Sequence, residues 1–93
     1  MHKNIKVLPK AMRDKLSDKQ TRTVESYSSA VKLKAVLRWK QRLAGAGVKV
    51  KELAEHTGKV PFRISEWMNF THEPSEENFN EIEAGIYELE DSK

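Results

Sequence analysis

The most varied hydrogen-bonding side chains of this sequence lie together in residues 61–69, PFRISEWMN. Arg63 carries a planar fork of donors, Glu66 carries two acceptor oxygens, and Asn69 carries one donor group and one acceptor. Such groups recognise base edges in the major groove: Arg pairs with guanine, Glu accepts from cytosine N4, and Asn pairs with adenine. Phe62 adds an apolar ring that can contact a thymine methyl group. The chemistry expected of this run is recognition by contact.

Patterns for catalysis or metal binding are missing from the sequence. The only histidines are His2, His56 and His72; no two are spaced i, i+4, and there is no cysteine. A metal site is therefore not expected. The sequence contains no phosphate-cradling glycine loop and no serine in a recognisable nucleophile elbow, and its carboxylates cluster towards the C-terminus. We expect no enzymatic activity and no cofactor.

Two short helices joined by a glycine turn are predicted to hold the 61–69 run. Gly58 follows Ala54 by four residues, and a glycine that ends a helix can adopt positive φ without a Cβ clash. Pro61 suits the first turn of the second helix, because its fixed φ fits and its missing N–H would have no partner there. Residues 48–50 lead into the first helix.

The second helix, about Pro61 to Asn69, has one apolar stripe. Ile64 and Trp67 recur at i, i+3 and should face inward, which leaves the other side chains facing wholly or partly outward. Two alternatives remain open at this stage. Phe62 could instead be a core residue packed against the first helix. Glu66 could instead orient Arg63 or Arg42 through an ion pair.

The register of Ala54, Gly58, Ile64 and Trp67 resembles the helix-turn-helix of lambda-repressor/Cro-type DNA-binding proteins. In that family an alanine precedes the turn glycine by four, and a β-branched residue follows the glycine by six. A large apolar residue comes three further on. The run from Ile64 to Asn69, with the Pro-Ser pair at 74–75, is also similar to the IS-x-W-x-N … PS pattern of such domains. The resemblance covers about residues 30–90.

The resemblance implies sequence-specific binding of double-stranded DNA, with the second helix in the major groove. It places Pro61, Phe62, Ser65 and Glu66 where bases are usually contacted and Asn69 near phosphate, with Arg63 serving either role. One departure is Val60, which stands where the family often has a capping Ser or Thr. Lys49 and Lys51 lie where the first helix would approach the DNA backbone. The candidate DNA-binding residues are Lys49, Lys51, Lys59, Pro61, Phe62, Arg63, Ser65, Glu66 and Asn69.

Charge is distributed unevenly along the 93 residues, whose net charge is +3. Residues 1–63 carry 16 Lys and Arg against five Asp and Glu, a net +11, whereas residues 64–93 carry a net −8. This division favours a basic face for an anionic polymer and an acidic segment held away from it, although a solvated surface could segregate in the same way. The chain is long enough for one modest core, a size at which dimerisation often helps.

Residues 1–22 are predicted to form a basic N-terminal arm. Leu8, Met12 and Leu16 recur at i, i+4, i+8, and together with Pro9 they predict a short amphipathic helix near 9–19. The arm could follow the DNA backbone, or it could be a tail that only adds solubility.

Two longer helices should complete the domain. One begins after a cap at Thr23, Ser28 or Ser29 and runs to about Ala44, with Trp39 in its packing. The other begins after Ser75 and carries an apolar stripe at 79, 82, 86 and 89. Within it, Gly85 could permit a close helix approach or end the helix early. Its acidic face should point away from DNA, where a dimer partner or another protein could bind; Tyr87 lies off the stripe.

The sequence therefore predicts an all-α, compact four- to five-helix domain over residues 23–93, with a central helix-turn-helix and the basic arm of residues 1–22 before it. The expected function is a DNA-binding transcriptional regulator, a repressor acting as a homodimer. No apolar run approaches 18 residues, so we expect a cytoplasmic protein outside any membrane. An alternative is a protein-interaction module on the same fold, such as an antitoxin or small phage-type antagonist or adaptor, using the acidic C-terminal helix. A third possibility is non-specific nucleic-acid binding through charge alone.

Overall fold

Helices make up all the regular secondary structure in residues 3–92, the part of the chain described by the computed structural model. After a 3₁₀ helix at Lys3–Val7 come six α-helices: α1 (Lys10–Arg13), α2 (Asp18–Glu25), α3 (Ala30–Ala46), α4 (Val50–Thr57), α5 (Pro61–Met68) and α6 (Glu76–Asp91). The predicted all-α class is confirmed. Met1 and His2, at the start of the predicted arm, and Lys93, at the end of the predicted domain, lie outside the described residues.

The longer helices begin and end at residues whose chemistry favours those positions. The Ser29 hydroxyl accepts a hydrogen bond from the Lys32 N–H at 3.0 Å, and so caps α3. In the same way, the Ser75 hydroxyl accepts from the Asn78 N–H at 3.1 Å and caps α6. Helix α3 runs two residues past its predicted end, and Gly47, in the left-handed conformation, then terminates it. Of the three caps considered for α3, Ser29 is the one used.

The predicted single helix near 9–19 is wrong. Helix α1 covers only Lys10–Arg13, and a new helix starts after Ser17. The Ser17 hydroxyl accepts from the Gln20 N–H at 3.1 Å, while the Gln20 side-chain oxygen accepts from the Ser17 N–H at 2.8 Å. This reciprocal capping box satisfies two helix-terminal donors. The capping box therefore sets the start of α2 at this point. A stripe of three apolar residues is too weak to extend α1 through it.

The N-terminal segment packs against the rest of the molecule. Leu8 is buried in the core. The Asn4 amide donates to the Tyr27 carbonyl oxygen at 3.0 Å, and the Gln20 amide donates to the Asn69 carbonyl oxygen at 2.7 Å. The division predicted at residue 22 falls inside α2.

The core forms around α3 and α6. Trp39 is fully buried, as its aliphatic surroundings in the sequence predicted. Its indole N–H donates to a Glu83 carboxylate oxygen at 2.7 Å, and its ring stacks on Phe79 at 5.7 Å between centroids. Along α6, Ile82 and Ile86 are fully buried, while Phe79 and Leu89 pack partly buried against the same core, which confirms the predicted stripe.

Helices α4 and α6 approach each other closely at Gly85. A Cβ atom built on Gly85 would lie 2.5 Å from Thr57 Cγ2 and 3.3 Å from Leu53 Cδ1. Since α6 continues through this glycine, its role is the close approach and not an early helix end. The contact braces α4, and through it the turn that leads to α5.

Candidate functional site

Helices α4 and α5 form the predicted two-helix unit with its glycine turn. Gly58 has φ 71 and ends α4, and the Lys59 N–H donates back to the Ala54 carbonyl oxygen at 3.0 Å. Pro61 is the first residue of α5, as predicted. Ile64 is fully buried and Trp67 is 5% exposed, so the inward stripe is confirmed. The opposite side of α5 is thereby turned to solvent.

The first turn of α5 projects into solvent. Phe62 is 70% exposed, which excludes the alternative that its ring packs in the core. Pro61 and Arg63 are exposed beside it, and Ser65 is half-buried. Leaving an aromatic ring in water forgoes about 1.5–3 kcal/mol of burial free energy. An aromatic side chain in this position is therefore better suited to contacting something outside the chain than to stabilising the fold.

Glu66 is already engaged within the protein. Its carboxylate, 18% exposed, lies 3.7 Å from the Arg63 guanidinium and 3.3 Å from His72 Nδ1. The alternative pairing with Arg63 is confirmed. The pairing with Arg42 is wrong, because Arg42 lies against α6 and binds Glu83 at 3.3 Å and Glu90 at 2.8 Å. To accept from a base, Glu66 would have to leave these partners.

Asn69 caps the C-terminal end of α5 and is held from two other helices. Its carbonyl oxygen accepts from the Gln20 amide at 2.7 Å, and its side-chain oxygen lies 3.4 Å from the Lys40 ammonium. Neither Gln20 nor Lys40 was among the predicted site residues. The Ser17–Gln20 spacing, S-x-x-Q, was the available signal for the capping box. The second hydrogen bond of Gln20 depends on the tertiary fold.

The end of α5 adopts an unusual backbone conformation. Phe70 has φ 61, the only positive φ of a non-glycine residue in the described chain, and its side chain is buried. The Phe70 N–H donates to the Trp67 carbonyl oxygen at 3.2 Å and the Thr71 N–H to the Glu66 carbonyl oxygen at 3.1 Å. The left-handed conformation costs a non-glycine residue roughly 1–2 kcal/mol of conformational free energy. Burial of the Phe70 ring offsets that cost and fixes the direction in which the chain leaves α5.

The loop after α5 is tied to the start of α3 through Glu73. Its carboxylate accepts from both the N–H and the hydroxyl of Ser28, at 3.0 and 2.8 Å, and pairs with the buried Lys32 ammonium at 3.0 Å. Partial burial would raise the pKa of Glu73, but these hydrogen bonds and the Lys32 charge lower it below its usual value. The loop therefore holds α5 against α3.

The three lysines of the predicted site are in different situations. Lys49 and Lys51 are exposed at the N-terminus of α4, where the helix dipole adds to their positive charge. The Lys49 N–H donates to a Glu52 carboxylate oxygen at 3.2 Å. Lys59 is mostly covered and pairs with Glu81 on α6. Only Lys49 and Lys51 present their charge to solvent.

Helix α6 neutralises the basic groups that it faces. Besides Lys59, it pairs Arg42 with two carboxylates and places Glu88 2.6 Å from His56 Nε2. The hydrogen bonds that Arg42 donates to the Glu90 carboxylate raise the pKa of Arg42 and lower the pKa of Glu90. The net +11 of residues 1–63 is therefore not all available to a ligand. Exposed cations on α3, α4 and α5, or at the N-cap of α4, are Lys34, Arg38, Lys40, Lys49, Lys51 and Arg63.

Within residues 3–92, no group of three or more His, Cys, Asp or Glu side chains is arranged to hold a metal ion. No helix in this range combines the length and the apolar character needed to span a bilayer. Comparisons of the chain with protein-family models, with curated proteins and with solved structures find no match.

Proposed function

We propose that this chain is a sequence-specific, double-stranded DNA-binding transcriptional regulator whose helix α5 enters the major groove. The observation that carries the proposal is the first turn of α5, where Phe62 and Arg63 project into solvent from a helix fixed on its opposite side by Ile64 and Trp67. A major groove about 12 Å wide admits one α-helix. A rigid helix with an exposed apolar and cationic first turn has the shape and chemistry for that position.

The residues of α5 would divide the work of recognition. Arg63 can rotate away from a 3.7 Å contact with Glu66 at little cost, because a partly exposed ion pair contributes only about 0–1 kcal/mol. Its fork then suits guanine O6 and N7, while Phe62 suits a thymine methyl and Ser65 either base or backbone. Glu66 would orient Arg63 only before DNA binds and would keep its 3.3 Å contact with His72 afterwards. Pro61 shapes the first turn, and Asn69 lies towards phosphate.

Phosphate contacts would come from the start of α4. Lys49 and Lys51 combine an ammonium with the N-terminal end of a helix, which favours an anion. Lys59 would add little, since its ammonium is held by Glu81. We further propose that the protein acts in the cytoplasm as a homodimeric repressor. The dimer would place two copies of α5 about one DNA turn apart on a near-palindromic site.

The test begins with selection of bound duplexes from a randomised pool, followed by anisotropy titrations on the enriched site and on random DNA at two salt concentrations. Arg63→Ala should weaken binding to the enriched site by about 1–3 kcal/mol and affect random DNA less. Arg63→Lys is the matched control, because it keeps the charge and loses the bidentate fork. The Arg63→Lys variant should bind random DNA as tightly as the unchanged protein but should bind the enriched site less tightly. Lys51→Ala should weaken binding to both the enriched site and random DNA. It should also reduce the slope of log affinity against log salt concentration by about one.

Failure to enrich any sequence, with salt-dependent binding to all duplexes, would reject specific recognition and leave binding through charge alone. Equal losses on enriched and random DNA for Arg63→Ala and Lys51→Ala would reject α5 as the reading helix.

A second candidate function is a protein-interaction module of the antitoxin, antagonist or adaptor kind. The internal pairing of Glu66 and of Lys59 supports it, because two of the proposed contact residues already have partners. Its surface would be α6, where Tyr87 is 68% exposed between acidic residues. Undetectable DNA binding at moderate salt, together with a purified protein partner whose affinity falls in Tyr87→Ser, would favour this function.

A further inference from the structure

A groove of about 400 Å³ lies between the α1–α2 turn and the middle of α3, and it ends at the C-terminus of α5. Its apolar lining includes Met12 and Leu16 on one side and Leu37 on the other, and all three are only partly buried. Phe70, with its left-handed backbone, lines the end next to α5. The groove is separate from the exposed first turn of α5.

The charges along this groove have one sign. Among the residues that the structure describes, Lys15 and Lys40 are its only charged lining residues, and no carboxylate lines it. Both lysines are exposed, and the Lys15 side chain makes no hydrogen bond or ion pair within residues 3–92, although its backbone N–H donates to the Met12 carbonyl oxygen at 3.0 Å. The Lys40 ammonium has one hydrogen-bond partner in the described part of the chain, the Asn69 side-chain oxygen at 3.4 Å. Within residues 3–92, no carboxylate pairs with either lysine beside these partly buried apolar side chains, whereas α6 pairs with several other cations.

We propose that this groove binds an anionic amphiphile, a medium-chain fatty carboxylate. The alkyl chain would lie on Met12, Leu16 and Leu37, and the carboxylate would be held by Lys15 and Lys40. Small-molecule sites are typically roughly 300–1,000 Å³, mostly apolar, with a few polar groups that fix orientation. A protein partner would need about 800 Å² from each side, much more than this groove alone offers.

This site does not depend on the proposed DNA-binding function. It nevertheless includes Asn69 and Phe70, the two residues at which α5 ends. A bound chain would therefore touch the segment that fixes where α5 stops, without covering Phe62 or Arg63.

The test is calorimetric titration of the full chain with octanoate, decanoate and dodecanoate below their micelle concentrations, with dodecyltrimethylammonium as the cationic counterpart. Binding should be saturable at one per chain, and affinity should rise by up to about fourfold for each added methylene. Lys15→Gln and Lys40→Gln should each weaken dodecanoate binding by about three- to tenfold. Because both lysines are exposed, neither variant should unfold the protein.

The matched control is Lys34→Gln, which removes one exposed positive charge from α3 outside the groove and should leave dodecanoate affinity unchanged. Amide chemical shifts should change at Met12, Leu37 and Phe70 on addition of dodecanoate. Non-saturable binding, equal affinity for the cationic amphiphile, equal effects of all three lysine variants, or shifts centred on Phe62 would each overturn the proposal.

Discussion

Replacing Gly85 with alanine tests how tightly α4 is held against α6. The new methyl group would lie 2.5 Å from Thr57 Cγ2, well inside van der Waals contact, and 3.3 Å from Leu53 Cδ1. Thr57 cannot rotate away freely, because its hydroxyl donates to the Leu53 carbonyl oxygen at 2.8 Å. Either that hydrogen bond is lost or the two helices move apart.

Two opposing effects set the magnitude. Alanine favours the helix over glycine by about 0.8–1.0 kcal/mol, which would stabilise α6. Inserting a methyl group into a packed contact costs about 1–3 kcal/mol. We therefore expect Gly85→Ala to lower the free energy of unfolding by about 1 kcal/mol. For a domain of this size that corresponds to a decrease in Tm of about 4–8 °C.

A double-mutant cycle with Thr57→Ser isolates the clash. Serine keeps the hydroxyl and removes Cγ2, the atom nearest the new methyl group. In the Thr57→Ser background, Gly85→Ala should raise the free energy of unfolding by about 0.5–1 kcal/mol, since the propensity gain remains and the main clash is gone. Urea denaturation followed by circular dichroism measures all four proteins, and the coupling energy should be about 1.5–2 kcal/mol.

The reasoning would be refuted if Gly85→Ala stabilised the protein equally in both backgrounds. That result would mean that the α4–α6 contact yields without cost and that Gly85 is not needed for the approach of the two helices.

Three further predictions concern the end of α5 and two titratable groups. Phe70→Gly should be more stable than Phe70→Ala by about 1 kcal/mol in urea denaturation, since both lose the buried ring and only alanine retains the left-handed strain. Burial, and then the charge of Glu73, raises the pKa of Tyr27 above its ordinary 10.0, so stability is complete below pH 10 and declines above it. In Tyr87→Phe, where Tyr27 is the one tyrosine left in the sequence, absorbance at 295 nm should show no ionisation near pH 10 in the native protein. The lowered pKa of Glu73 predicts that stability is complete above its ordinary 4.5 and falls at lower pH; Glu73→Gln should flatten this decline in acid denaturation curves.

Local chemistry predicted most of the helical framework. The Gly58 turn, Pro61 at the start of α5, the Ser75 cap and the apolar stripes each depend on residues within one or two turns of one another. The prediction of a single helix near 9–19 was wrong because two local signals favoured different structures. The three apolar residues at i, i+4, i+8 favoured one continuous helix, while the Ser17–Gln20 capping box favoured the start of a new helix. The structure has the new helix, with both hydrogen bonds of the capping box formed.

The sequence predicted which side chains of the candidate site face solvent, but it did not predict which ion pairs they form. The inward stripe of Ile64 and Trp67 was enough to indicate that Arg63 faces outward. The partners of Glu66 depend on where His72 lies after the loop that follows α5. Likewise, Lys59 resembled Lys49 and Lys51 in sequence, and only the position of Glu81 on α6 separates it from them.

The sequence by itself determined the all-α class, the two-helix unit with its glycine turn and the inward face of α5, because helix periodicity, capping and the conformational limits of Gly and Pro act over a few residues. The tertiary structure alone decided which charges remain available, because ion pairs form between residues 22 to 48 positions apart, such as Lys59 with Glu81 and Arg42 with Glu90. It also decided that α1, α2 and α3 enclose an apolar groove beside two lysines, since a concave surface exists only where separate elements pack without filling the space between them.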